Sequence, residues 1–224
     1  MMSVYPIDAL QFFRLARFAM CIIFVSVCAA WGQTYEGGEL PSSTEILESY
    51  RASVSGKKEI PQLLRFAFIA AEDPDYFETL PHKSAFTEQI VKSEFLLSAE
   101  SSIVRMARFY LISMKIQELL SHHEILNWYM NRIFLGSGCY GVSGAALAYF
   151  GHNASDLSIG EAASMAALAK QPFLLSRPGY HDRAIKERNR IIEEMRRLHF
   201  IDPREALEEM ELTLATPSPL SRCQ

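Results

Sequence analysis

A pair of neighbouring carboxylates, Glu72 and Asp73, is the feature of this sequence best suited to chemistry. They lie within FIAAEDPDYFE (residues 68–78), where an apolar run stops at the two acids and a proline follows. A carboxylate at the wall of a partly apolar cleft can have its pKa raised towards neutrality, which suits a general base. The alternative is that the two acids are solvated residues marking a helix end. The residues around them leave both interpretations open.

Two other groups of residues could hold a ligand. The loop GSGCYG (residues 136–141) brings three glycines together, but it lacks the Lys-Ser/Thr ending of a phosphate loop and follows no predicted strand, so a helix–helix turn is the alternative. The four cysteines show no metal-ligand spacing. We therefore expect no zinc site, no disulfide framework and no resident cofactor. Whether a divalent cation assists is left open.

The composition is that of a globular protein with a slight excess of acid. The chain has 224 residues, of which 49% are hydrophobic and 21% charged, so it suits one domain with a sizeable core. The formal net charge is −4, which lacks the basic surface typical of nucleic-acid-binding proteins. No nucleic-acid partner is expected.

The N-terminal region has the pattern of a membrane segment. The run FAMCIIFVSVCAAWGQTY (residues 18–35) contains no charge and follows two arginines, whereas Glu36 is the first charged residue after it. This asymmetry predicts a cytoplasmic N-terminus over residues 1–17 and a transmembrane anchor over residues 18–35, with the rest of the chain outside the cytoplasm. A cleaved signal peptide is the alternative, because small residues follow a short apolar core.

The elements that must position the acids are predicted to be helices. Residues 36–59 are polar and are predicted to form a linker. From residue 60 the apolar spacing is helical and shows no sustained alternation, which predicts an all-α domain over residues 60–210. The Ser/Pro-rich residues 211–224 are predicted to be a disordered tail.

Several helix starts are marked by their capping residues. Ser121 with Glu124 and Ser158 with Glu161 have the spacing of a capping box. Asp202 is followed by proline, which favours the first helical position. A further amphipathic helix is predicted over residues 182–198.

Several stretches together resemble the peptidoglycan glycosyltransferase domain, glycosyltransferase family 51. The longest is EILNWYMNRIFLGSGCYGVSGAALAYFG (residues 124–151); DLSIGEAASMAALAKQP (residues 156–172) and RAIKERNRIIEEM (residues 183–195) continue it. FAFIAAED resembles the segment that carries the family's first catalytic motif. The resemblance covers about residues 60–203 and implies a lysozyme-like helical fold.

The resemblance also implies an activity. The family transfers a growing glycan from an undecaprenyl diphosphate carrier to lipid II and forms a β-1,4 bond. The implied partners are lipid II, the undecaprenyl diphosphate-linked glycan, the membrane and other cell-wall synthesis proteins. The implied location is the bacterial cytoplasmic membrane, with the domain on its outer side, which agrees with the predicted anchor.

The resemblance assigns roles to particular residues. Glu72 takes the place of the general base, which removes a proton from the 4-hydroxyl of the acceptor sugar, and Asp73 is its motif partner. Lys92 and Arg105 would bind the diphosphate leaving group, although ordinary solvated helix charges would look the same in sequence. The substrate-binding positions implied by the family are Ser84, Thr87, Gln89, Lys92, Arg105 and Asn131.

The catalytic motifs depart from the family more than the scaffold does. In the first motif Tyr76 replaces Phe, Thr79 replaces His and Pro81 replaces Gly. In the second motif the glycines of the family are absent and Glu88 replaces Gln. The spacer between these motifs, which shapes the donor site in the family, is nearly absent.

The third motif lacks its second catalytic carboxylate. Aligned on Ser121, Phe109 takes the place of that Glu, and Met106 the place of a Lys. Glu118 lies nine residues further along the same predicted helix, about 13 Å away, and is not an obvious substitute. Three functions remain: a glycosyltransferase, a non-catalytic protein that binds lipid II or regulates a synthase, and a lysozyme-like hydrolase. The last is disfavoured because hydrolysis usually needs two carboxylates flanking the bond.

Overall fold

The computed structural model describes residues 39–78, 80, 83–95, 102–172, 179, 181–212 and 223. Their helices belong to one compact unit, Leu40–Gln224. In chain order they are α1 (Ser43–Val54), α2 (Gln62–Glu72), α3 (Ala85–Glu94), α4 (Ser102–Leu119), α5 (His122–Arg132), α6 (Val142–Phe150), α7 (Ile159–Lys170), α8 (His181–Arg197) and α9 (Pro203–Glu211). The extended pairing among these residues is an isolated bridge between Phe134 and Tyr140, so the predicted all-α class is confirmed for the part described.

The predicted helix starts are confirmed. Ser121 and Ser158 each accept a hydrogen bond from the backbone N–H three residues on, and the glutamate there bonds back to the capping residue. Asp202 forms the same reciprocal arrangement with Glu205. These contacts satisfy N–H groups that a helix N-terminus leaves without partners.

The predicted linker over residues 36–59 is corrected by α1. Ser42 and Glu45 form a capping box, and Ile46 is fully buried in the core. Tyr50 packs near Trp128 of α5, with ring centroids 6.1 Å apart. The polar composition led to the prediction of a linker, although α1 is a short amphipathic helix. Such a helix needs few apolar residues, because only one of its faces is buried.

Two groups of helices meet in the core. In the first group α7 packs against α2 and α8, and α8 packs against α2 and α9. Small residues make α7 (IGEAASMAALAK) narrow, and residues 160–168 are buried apart from Glu161. In the second group α3 packs against α4 and α5, and α1 packs against α4 and α5. The end of α2 lies where the two groups are joined by side-chain hydrogen bonds.

The prediction that the cysteines form no disulfide framework is wrong, because the structure contains a disulfide. Cys139, in the glycine loop between α5 and α6, is bonded to Cys223 near the C-terminus, with their Cα atoms 4.9 Å apart. The two cysteines are separated by 84 residues. Their proximity is a product of the folded chain, and no local spacing could have indicated it.

No helix among the described residues is long and apolar enough to cross a membrane. The predicted anchor over residues 18–35 lies outside the described residues, as do Thr79, Pro81 and most of the predicted tail.

Candidate active site

Glu72 is the last residue of α2, and local sequence fixes its position. α2 (QLLRFAFIAAE) buries Leu64, Ala67 and residues 68–71. Proline disfavours helical backbone in the residue before it, and Asp73, which precedes Pro74, leaves the helix with φ −150° and ψ 71°. The carboxylate of Glu72 is therefore delivered at the end of a buried helix, and Glu72 is itself partly buried.

Two side chains from distant parts of the chain act on Glu72. The hydroxyl of Tyr129 donates a hydrogen bond to Glu72 Oε1 at 2.7 Å. Lys170 Nζ donates to the carbonyl of Ala71 at 2.7 Å and places a positive charge nearby. Glu72 Oε2 accepts no hydrogen bond from the described residues.

The surroundings of Glu72 suit a proton acceptor. Burial raises the pKa of Glu72 above its ordinary value, and the charge of Asp73 adds to the rise, whereas Tyr129 and Lys170 oppose it. Burial and the neighbouring Glu72 carboxylate raise the pKa of Tyr129 well above its ordinary value, so its hydroxyl stays protonated and donates. A carboxyl group with a raised pKa, one oxygen fixed and the other open, can take a proton from a bound hydroxyl.

Asp73, in the first motif, forms a hydrogen bond with the start of α3, which carries the second motif. Its Oδ2 accepts a hydrogen bond at 3.0 Å from the backbone N–H of Ala85, the first residue of α3. A carboxylate is stabilised at a helix N-terminus by the unpaired N–H groups and the helix dipole. In this structure Asp73 therefore positions α3 relative to Glu72.

Ser84 and Thr87 lie inside the protein. Ser84 is fully buried and is the N-cap of α3, where its Oγ accepts from the backbone N–H of Phe86 at 3.1 Å. Thr87 is also fully buried, and its Oγ1 has no partner among the described residues. Neither side chain is open to a ligand here, which differs from the substrate contacts that the sequence predicts.

Gln89 and Lys92 are both exposed on α3, but Lys92 is engaged. Its Nζ forms an ion pair with Glu88 one turn earlier. Glu88 is one of the departures from the family motif, so the substitution supplies a competitor for the cation expected to bind diphosphate. Gln89 lines a cavity of about 240 Å³ whose wall also includes Tyr129 and Arg132.

The third motif lies on α4. Arg105 is exposed, as a phosphate-binding residue would need to be. Phe109 is partly buried and packs against the hydrophobic core. Its ring belongs to the packing of α4, so the position that the resemblance assigns to a second carboxylate holds an apolar side chain.

Asn131 supports the glycine loop. It is 5% exposed, its amide nitrogen donates to the carbonyl of Asn127, and its own carbonyl accepts from Lys57 Nζ at 3.0 Å. The backbone of Gly141, with φ +77°, passes so close that a Cβ there would lie 2.7 Å from Asn131 O. Asn131 therefore fixes the turn between α5 and α6, and the nitrogen of its side-chain amide is engaged within α5.

Sequence reasoning missed Tyr129 and Lys170 as neighbours of Glu72. Tyr129 was visible only as one apolar position among several on α5, and it is 3% exposed. Its hydroxyl was the sole signal, since a buried tyrosine usually needs a hydrogen-bond partner. That the partner is 57 residues away could not be read from the sequence.

A second cavity lies away from these acids. It measures about 340 Å³ and is lined by residues of the α1–α2 connection, of the start of α6 and of the turn after α6, including Lys58, Gly141 and Ser155. Glu72 lines neither this cavity nor the one at Gln89. We place the candidate site at Glu72, because its carboxylate has the chemistry that the cavity of 340 Å³ lacks.

Comparison with known proteins identifies the surrounding scaffold. Residues 81–196, just over half of the chain, match the family described as transglycosylase. The match begins after Glu72 and Asp73. Penicillin-binding protein 1A of Vibrio cholerae is 34% identical over 159 residues, which cover 62% of this chain and 19% of that protein. Penicillin-binding protein 1A of Aquifex aeolicus is 30% identical over 199 residues, covering 79% and 27%.

Among solved structures, penicillin-binding protein 1A of Haemophilus influenzae matches with a TM-score of 0.45 and 25% identity, over 73% of this chain and 18% of that one. The chain spans less than a third of the length of the curated relatives named above.

Proposed function

Because the chain belongs to the transglycosylase family, glycosyltransferase family 51, we propose that it polymerises glycan from lipid II with Glu72 as general base. The observation that carries the proposal is the environment of Glu72: a partly buried carboxyl with a raised pKa, one oxygen held by Tyr129 and the other without a hydrogen-bond partner among the described residues. A solvated residue at a helix end would have neither the burial nor the fixed partner.

In the proposed reaction the 4-hydroxyl oxygen of the acceptor sugar attacks the anomeric carbon of the donor. The bond from that carbon to the diphosphate oxygen breaks, and its electron pair leaves with the lipid diphosphate. The hydroxyl proton passes to Glu72. The hydrogen bond from Tyr129 keeps the carboxylate oriented towards the acceptor, and general-base catalysis of this kind is worth about 10²–10⁴-fold in rate.

The binding of the leaving diphosphate is the part of the proposed site with the weaker structural support. Arg105 is exposed and is the guanidinium suited to a phosphate. Lys92 is the second cation, and it must be released from Glu88 before it can bind. Ion pairs between exposed residues are worth only about 0.2–1 kcal/mol, so a doubly charged phosphate group can displace Glu88.

The second candidate function is a non-catalytic protein that binds lipid II or regulates a synthase. The observation that favours it is the packing of Phe109 against the core, which leaves the third motif without its carboxylate. Retention of the scaffold with loss of one acid is what a relative that binds but does not turn over its substrate would show.

The proposed location is the outer side of the bacterial cytoplasmic membrane, with the membrane and other cell-wall synthesis proteins as partners. The disulfide between Cys139 and Cys223 supports a compartment outside the cytoplasm, because thiols are kept reduced inside it. The predicted anchor over residues 18–35 agrees with this location.

The deciding experiment is glycan polymerisation from labelled lipid II by the purified full chain in detergent. We expect polymer from the wild type and a loss of about 10²–10⁴-fold in Glu72→Gln. Glu211→Gln, at the exposed end of α9, is the matched control and should keep the wild-type rate. Lipid II that binds without polymer formation in the wild type would refute the polymerase and favour the binding protein.

A further inference from the structure

A further cavity, lined mostly by cations, does not include Lys92 or Arg105. It measures about 440 Å³, and the described residues that line it are Gln171, Arg183, Lys186, Glu187 and Arg190. The glutamine directly follows α7, and the other four lie within the first ten residues of α8. Lys92 and Arg105 belong to α3 and α4, in the other group of helices.

The charges around this cavity do not cancel. Arg190 donates to Glu187 Oε1 from Nε at 3.0 Å and from its terminal nitrogen at 2.7 Å, so these two residues form a pair. Within the part of the chain that the structure describes, Arg183 and Lys186 donate no hydrogen bond and form no ion pair. Two cations therefore face the cavity without a carboxylate of their own.

The single acid in the lining is held as an anion by its neighbours. The hydrogen bond from Arg190, together with the charges of Arg190, Lys170 and Arg183, lowers the pKa of Glu187 below its ordinary value. Glu187 thus stays committed to Arg190. The remaining positive charge is available to a ligand from solvent.

A polar group in the wall also lacks a partner. Gln171 Oε1 is buried and accepts no hydrogen bond among the described residues. A half-turn of the side-chain amide would place its two N–H donors at the same point. A ligand that accepts hydrogen bonds would satisfy them.

The cavity is physically connected to the candidate base. Lys170, the residue before Gln171, donates to the carbonyl of Ala71 and acts electrostatically on both Glu72 and Glu187. A group bound between Gln171 and α8 would therefore lie near Lys170, whose Nζ contacts the end of α2.

We propose that this cavity is a second anion-binding subsite, in which Arg183 and Lys186 bind an oxyanion of the substrate. Carboxylate and phosphate share this chemistry: both accept charge-assisted hydrogen bonds from guanidinium and ammonium groups. Binding of the oxyanion does not depend on turnover, whereas its assignment to the same substrate that Glu72 acts on rests on the proposed function.

The test measures binding to the full chain in detergent, followed by NMR shifts of the α8 amides. The probes are inorganic pyrophosphate, the dipeptide D-alanyl-D-alanine, and the same dipeptide with its carboxylate converted to an amide. Saturable shifts with pyrophosphate identify a phosphate ligand. Shifts with the acid and not with its amide identify a carboxylate ligand.

The variant Arg183→Gln/Lys186→Gln should weaken that binding at least tenfold, since two charge-assisted contacts are lost. The variant Arg183→Lys/Lys186→Arg keeps both charges and should retain most of it. The control Arg196→Gln/Arg197→Gln removes the same charge from the far end of α8 and should bind as the wild type does.

Absence of saturable shifts at millimolar concentrations with every probe would overturn the subsite, as would equal affinity in Arg183→Gln/Lys186→Gln. Failure of the proposed function is distinguishable, because a chain that polymerises no lipid II can still show these shifts. Conversely, if the chain polymerises lipid II but shows none of these shifts, the proposed role of Glu72 stands and the proposed subsite is refuted.

Discussion

Replacing Tyr129 by phenylalanine removes one hydroxyl from the candidate site and leaves the buried ring in place. The hydroxyl is the donor to Glu72 Oε1 at 2.7 Å, and the ring packs near Phe68 and Phe86 with centroids 6.2 Å and 5.0 Å away. The substitution therefore isolates one hydrogen bond to a titratable group.

The size of the effect depends on the charge of Glu72. A hydrogen bond to an ionised group is worth about 1.5–3 kcal/mol, and one between neutral groups about 0.5–1.5 kcal/mol. We expect Tyr129→Phe to lower the free energy of unfolding by the larger amount where Glu72 is ionised and by the smaller amount where it is protonated.

The direction of the pH dependence follows from the raised pKa of Glu72. The folded state favours the neutral carboxyl of Glu72. The stability that this preference contributes is fully present below the pKa of Glu72 in the unfolded chain, and it is lost as pH rises through the pKa of Glu72 in the folded chain. The hydrogen bond from Tyr129 lowers the pKa of Glu72, so removing that bond raises the pKa of Glu72 further. The destabilisation by Tyr129→Phe should therefore grow between about pH 4 and pH 8, measured by urea unfolding at each pH.

Two controls separate this effect from loss of packing. Tyr149 is buried, and its hydroxyl donates to the carbonyl of Leu135 at 2.9 Å, a neutral acceptor. Tyr149→Phe should lower the free energy of unfolding by about 0.5–1.5 kcal/mol at every pH in that range. In a Glu72→Gln background Tyr129→Phe should lose its pH dependence. An equal loss at pH 4 and pH 8 in the otherwise wild-type chain would refute the coupling of Tyr129 to the charge of Glu72.

Three further substitutions test the surroundings of the site. Gly141→Ala should lower the free energy of unfolding, measured by thermal unfolding, by about 2–5 kcal/mol, because of the positive φ and the clash that a Cβ would make. Gly138 also has a positive φ, but a Cβ there would meet nothing within 4 Å, so Gly138→Ala should cost only about 1–2 kcal/mol. Equal losses in the two variants would contradict the clash. Glu88→Gln should change the unfolding free energy by no more than about 0.5 kcal/mol but tighten pyrophosphate binding by freeing Lys92, and unchanged affinity would show that the ion pair does not compete. Cys223→Ser should lower the free energy of unfolding under oxidising conditions by about 4.5 kcal/mol, the loop-closure entropy for the 84-residue separation, and so lower the melting temperature; a reductant should bring the wild type to the same melting temperature.

The starts of α5, α7 and α9 followed from the sequence. The capping boxes at Ser121 and Ser158 and the proline after Asp202 were sufficient, because a helix start depends on contacts within three residues. The same rule would have found α1 from Ser42 and Glu45, but the surrounding polar residues led to the prediction of a linker.

The family and the candidate base were also accessible from the sequence. The long stretch over residues 124–151 indicated the transglycosylase family, and residues 81–196 match it. Glu72 could be singled out because an apolar run, an acid and a proline are adjacent. Its role as base stays a prediction.

The contacts that tune Glu72 were decided only by the tertiary structure. Tyr129, Lys170 and the disulfide partner of Cys139 reach their neighbours across 57, 99 and 84 residues of chain. Local propensity carries no information about which distant segments meet, since that depends on how all the buried faces pack together. The sequence alone determined three helix starts, the candidate carboxylate and the family of the chain; packing determined that Ser84 and Thr87 are buried and that Tyr129 holds one oxygen of Glu72.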